Sequence, residues 1–112
     1  MGKENSARIW MDARMILITL WKFRQKATKE MLAESVKLAE QLPKEGIKVI
    51  GNYWTLGKCD IVTIAEAKDE KSFMRALLRY GDLYSTETLV AIGREDALGL
   101  VEPPSGMKSR NA

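Results

Sequence analysis

The order in which two hydrophobic periods alternate along this chain leaves few folds open to it. "MILITLWKF" (15–23) is β-rich and apolar on both faces, the pattern of a buried strand. "TKEMLAESVKLAEQL" (28–42) then switches to helical spacing. Thr28 is placed to cap it, and Met31, Leu32, Ser35, Val36, Leu38, Ala39 and Leu42 fall on one broad stripe. Pro43 and Gly46 close that helix. "IKVIGNYWTL" (47–56) and "CDIVTIAEA" (59–67) read as strands joined at Gly57-Lys58, where glycine can take the positive φ of a tight turn. A second helix starts from Asp69 as its cap, turns Phe73, Ala76, Leu77 and Tyr80 inward, and stops at Gly81. "YSTETLVAI" (84–92) is a last strand, and "GREDALGLVE" adds a helical turn.

The resulting order, βαββαβ, predicts an α+β ferredoxin-like domain. Right-handed crossovers place both helices on one face of a four-stranded antiparallel sheet. The domain spans 15–102, flanked by flexible tails at 1–14 and 103–112. Met11 and Met15 are alternative starting points, so 1–14 reads as an appended segment. Two helices cover one sheet face, yet the strands are apolar on both. Trp54, Leu56, Ile61 and Ala65 alternate with Val49, Tyr53, Val62 and Ile64. An open apolar face of this size is rarely left in water. The simplest cover is the same face of a second copy, which predicts a homodimer of the dimeric α/β-barrel kind.

Composition excludes several chemistries. The chain has no histidine, which removes Ser-His-Asp and Cys-His catalysis and the commonest transition-metal ligand. Its one cysteine, Cys59, can form neither an internal disulfide nor a metal site, so no metal is expected and a reducing cytoplasm suits it. The net charge of +3 lies wholly in the tails, because basic and acidic residues balance one for one between Met15 and Glu102. Charge therefore gives no argument for nucleic acid, despite the cluster Lys22, Arg24, Lys26 and Lys29. RNA-recognition domains of the same topology place aromatics on their central strands, and "CDIVTIAEA" has none. No stretch approaches the roughly 20 apolar residues of a membrane span. Basic residues, not a small-residue cleavage site, follow "MILITLW".

Two stretches, "YWTLGKCDIV" (53–62) and "STETLVAI" (85–92), resemble the GYD domain family of small, largely uncharacterised bacterial and archaeal proteins. In that family a Tyr/Trp-Thr/Leu-Leu/Met-Gly turn leads into a Tyr-Asp pair, and the last strand carries Arg-Thr-Glu-Thr-Leu. Gly57 matches the motif glycine and Asp60 the motif aspartate. Thr86, Glu87, Thr88 and Leu89 match the second motif. Cys59 replaces the motif tyrosine, and Tyr84-Ser85 stands where the family has an arginine. The resemblance implies a dimeric α/β-barrel fold and carries no general activity or cofactor.

Within "YWTLGKCDIV", a turn at Gly57-Lys58 pairs Thr55 with Asp60, Trp54 with Ile61 and Tyr53 with Val62. Tyr53, Thr55 and Asp60 then share one side, while Cys59 joins Trp54 and Leu56 on the other. A Cys59–Asp60 dyad is thereby disfavoured, and Cys59 reads as a packing residue. Asp60 has two readings. One is a carboxylate bonded to Thr55 or to backbone amides; the other is an acid/base or ligand anchor in a pocket with Tyr53, Thr55, Thr86 and Glu87. Two functions follow, and the sequence leaves both open: a small-molecule binder or cofactor-independent enzyme, or a non-enzymatic regulatory or assembly module. A pocket of about 300 Å³ with converging polar groups separates them.

Overall fold

A computed structural model describes residues 14–101. Residues 1–13 and 102–112 lie outside the described residues, and with them the expected tails apart from Arg14. Strand β1 (Met15–Phe23) is flanked by β3 (Ile61–Ala67) and β4 (Tyr84–Ala91), and β2 (Ile47–Trp54) pairs on the far side of β3. The order β2-β3-β1-β4 is antiparallel throughout, in the ferredoxin-like arrangement. Two-sided apolarity put β1 and β3 in the centre; the edge strands β2 and β4 carry the exposed residues.

Helix α1 (Lys29–Ala39) begins where Thr28 Oγ1 accepts the Met31 N–H at 3.1 Å. It stops three residues short of the sequence expectation. Pro43 has no N–H to give the Ala39 carbonyl, which instead accepts from Leu42 N at 3.1 Å. The chain tightens into a 3₁₀ turn at Pro43–Glu45 and leaves through Gly46 at φ 80°. Helix α2 (Glu70–Arg79) is capped by Asp69 Oδ1, which accepts the Ser72 N–H at 2.8 Å. Gly81 follows it without a left-handed φ, and hydrogen bonds from Leu83 and Tyr84 N to the Tyr80 carbonyl close that turn. Helix α3 (Arg94–Val101) has two turns where the sequence promised one, and buries none of its residues.

Both α1 and α2 lie on one sheet face. The core there has two parts. Leu17, Ile47, Ala65 and Ala67 pack under Phe73 and Ala76 of α2. Trp21 and Ile61 pack with Met31 of α1 and with Tyr80, Leu83 and Tyr84. The Trp21 ring meets Tyr80 and Tyr84 edge-on, with centroids 5.0 and 5.1 Å away. Such pairs contribute about 1 kcal/mol each beyond the area they bury.

One face assignment differs from the alternation read in the sequence. Val49 pairs with Ala65 and Gly51 with Ile64, so Ile50 is an extra residue in β2. The bulge turns Val49 to the helix side, away from Tyr53, Val62 and Ile64. Gly51 lets the exposed Tyr53 ring lie against the strand, since a Cβ on it would come within 2.8 Å of that ring and push it aside.

Glu45 of the 3₁₀ turn holds Arg79 of α2 in a two-pronged ion pair, one arm of which is 2.7 Å. The hydrogen bond from Arg79 keeps the Glu45 carboxyl below its usual range, and capping of Ser72 N does the same for Asp69. Both groups bind protons more weakly folded than unfolded. Their stabilisation is therefore complete above the ordinary carboxylate range and disappears as pH falls through and below it. Urea midpoints should stay level from neutral pH to mildly acid pH and then decline. In the double variant E45Q/D69N that decline should be shallower, and an unchanged slope would show that neither group contributes.

Candidate functional site

Alternation places a row of polar side chains across the middle of the helix-facing sheet surface. Asn52 pairs with Thr63, Thr63 with Thr19, and Thr19 with Thr88, one residue from each strand. Thr19 is fully buried, and its hydroxyl meets that of Thr88 at 3.0 Å. Thr63 Oγ1 accepts the Trp21 indole N–H at 3.0 Å. The Thr19 and Thr88 hydroxyls thus bond each other, and the Thr63 hydroxyl is held by the Trp21 indole.

Above the Asn52–Thr63 end of this row is a cavity of about 340 Å³ between the sheet and helices α1 and α2. It exists because the apolar stripe of α1 is only partly used. Met31 is buried and Leu38 packs on the core, but Leu32, Ser35, Val36 and Ala39 face the cavity instead of filling it. Val36 stays 59% exposed. Trp21, Phe73, Tyr80 and Tyr84 supply inner walls, and Trp54, 60% exposed, stands at the mouth. Phe23 lies beside Trp54, 5.5 Å between centroids.

Three polar features reach this space. Ser35 Oγ and Tyr84 Oη are 2.8 Å apart and share one hydrogen bond. Thr63 contributes its hydroxyl, and Asn52 its amide. Tyr80 is pushed up to about 12, mainly by burial and then by neighbouring Tyr84, so its phenol stays protonated across the physiological range.

The residues singled out from sequence fall elsewhere, and none lines the cavity. Tyr53 is 58% exposed on the open sheet face. Glu87 pairs with Leu20 on that same face, but at the opposite edge. Thr86, paired with Trp21, is on the helix side and exposed. Thr55 and Asp60 remain in the β2–β3 connection. The expected pairs Tyr53–Val62 and Trp54–Ile61 are present, and Thr55 N donates to the Asp60 carbonyl at 2.8 Å. Beyond Trp54 the pleat ends, so the expected separation of Thr55 from Cys59 does not hold. The Thr55 hydroxyl donates to the Cys59 carbonyl at 2.9 Å and lies 3.5 Å from its sulfur.

Asp60 braces β1. Its N–H donates to the Trp21 carbonyl at 2.8 Å, and its Oδ2 accepts the Phe23 N–H at 2.9 Å. A side chain thus extends the β1–β3 ladder past its last backbone pair. Gly57 has φ 117°, as the turn reading requires, and a Cβ there would meet nothing within 4 Å. Its necessity is conformational, not steric.

The profile of the GYD domain matches residues 17–101, most of the chain. The chain belongs to the GYD domain family. No curated protein matches it. Gly57 and Asp60 of the hairpin shape backbone, whereas Trp54 and Ile61 of the same stretch line the cavity. Among the described residues no group of three or more His, Cys, Asp or Glu is placed to hold a metal. No helix among them is long and apolar enough to cross a membrane.

Replacing Gly57 with Ala should cost about 1 kcal/mol through the strained φ. Asp60→Ala should cost about 1–2 kcal/mol by orphaning the Phe23 N–H, while Asp60→Asn keeps an acceptor and loses less. Chemical denaturation checks all three; an Asp60→Ala protein as stable as the parent would remove Asp60 from the framework.

Proposed function

We propose that this GYD-family protein is a homodimer that binds a small molecule in the cavity between sheet and helices. The observation that carries the reading is the cavity itself. Its volume of about 340 Å³ reaches the range of small-molecule sites, and hydroxyl and amide groups converge on an otherwise apolar lining. The lining offers no carboxylate, thiol or imidazole, so it supports binding and orientation more than proton transfer. A cytoplasmic setting belongs to the same reading and is supported by Cys59, a free thiol.

Support for the dimer comes from the other face. Ile16, Ile18, Leu20, Val62 and Ile64, each half-buried, form an apolar centre on the face away from α1 and α2, bordered by exposed Tyr53 and Leu89. A second copy across a two-fold axis buries this surface against itself. The same face favours a second reading, a non-enzymatic assembly module, because exposed Leu98, Leu100 and Val101 on α3 add to the apolar area available for association.

Binding separates the two. Val36→Trp narrows the cavity mouth from an exposed helix position; it should weaken a bound ligand at least about tenfold with little change in Tm. Light scattering should give twice the 12.6 kDa chain mass, and Ile18→Lys with Ile64→Lys should halve it. A dimer that binds nothing from a small-molecule screen supports the assembly module, and a monomeric parent protein removes the sheet-face interface.

A further inference from the structure

From the chemistry of its lining we infer that the cavity selects an electrically neutral ligand of about bicyclic-aromatic size carrying one or two hydrogen-bonding groups, and rejects anions and cations of the same shape. This rests on the reading of the cavity as a binding site and adds the class of molecule.

The chain is 29% charged, yet no Lys, Arg, Asp or Glu lines the cavity. A charge moved from water into such a lining would lose its hydration and gain no counter-ion, a cost that hydroxyls alone do not offset. Tyr80 does not become a phenolate there, since burial holds its proton.

The polar groups present are matched to neutral hydrogen-bonding partners. Thr63 Oγ1 already accepts from the Trp21 indole, so its own O–H remains to donate. Of the two hydroxyl protons in the Ser35–Tyr84 pair, one is shared between them and one is free, with lone pairs left over. Asn52 offers both a carbonyl and an NH₂. A hydroxyl, carbonyl or amide on the ligand finds a partner among these. Aromatic surface from Trp21 and Trp54 suits a flat ring system, and a volume near the lower limit of small-molecule sites restricts its size.

Four probes of one shape test this by calorimetric titration of the full chain near neutral pH: naphthalene, naphthylmethanol, naphthoate and naphthylmethylammonium. Naphthylmethanol should bind at least about tenfold more tightly than either ion. Asn52→Lys puts a cation into the lining from an exposed position, and should raise naphthoate affinity several-fold while lowering that of naphthylmethylammonium. Ions that bind as well as the alcohol, or a lysine at 52 that leaves naphthoate unchanged, would overturn the neutral class and leave the cavity a binding site. Failure of all four probes, naphthalene included, would instead overturn the binding-site reading itself, and the ligand class with it.

Discussion

Trp21 ties together elements that sequence separates widely. It projects from β1 beside Ile61 of β3, and packs with Met31 of α1 and Tyr80 at the end of α2. It also meets Tyr84 at the start of β4. Its indole N–H is held by Thr63 and its carbonyl by the Asp60 amide. A smaller residue here would open a void between two edge-on tyrosines and release the Thr63 hydroxyl. The two halves of the split βαβ fold meet at this side chain. The orientation of both helices over the sheet follows from how they reach it.

The cavity follows from the same packing. Trp21 and Met31 fix one end of α1, the Phe73–Ala76 cluster fills the space under α2, and Leu77 packs against both core parts. Ser35 and Ala39 are too short to cross from α1 to the sheet. Asn52 and Thr63 beneath them are polar and resist being covered by apolar side chains. A well-packed interior leaves few voids larger than a water molecule. The hydroxyls here bond each other and the indole, which keeps the floor ordered with the cavity left open.

Most of the architecture was legible in the sequence because each element carried its own punctuation. Thr28 and Asp69 cap as expected, and Gly57 takes its positive φ. What was not legible has identifiable causes. The bulge at Ile50 is invisible to a period-two reading, since it breaks the period itself; it moved Val49 to the helix face. Thr19, Thr63 and Thr88 are good strand formers, so each reads as β-propensity when taken alone. Only the register, which aligns them side by side, reveals a polar row. For Asp60 a bond to backbone amides is one of the two readings, but the amide it holds belongs to a strand 37 positions away, which local sequence does not identify.

The hairpin stretch that resembles the family overlaps the cavity lining at Trp54 and Ile61 alone. Gly57 and Asp60 fix how the β2–β3 hairpin meets β1. Cys59, standing in place of the motif tyrosine, is confined to the same hairpin, where its sulfur and carbonyl face the Thr55 hydroxyl. Ser85, in the stretch where the family carries arginine, pairs with Lys22 toward the open face. Cys59 and Ser85 lie outside the cavity lining, but Tyr84, the other residue of that second stretch, is part of it. Substitution at Cys59 or Ser85 therefore leaves the lining of the cavity unchanged.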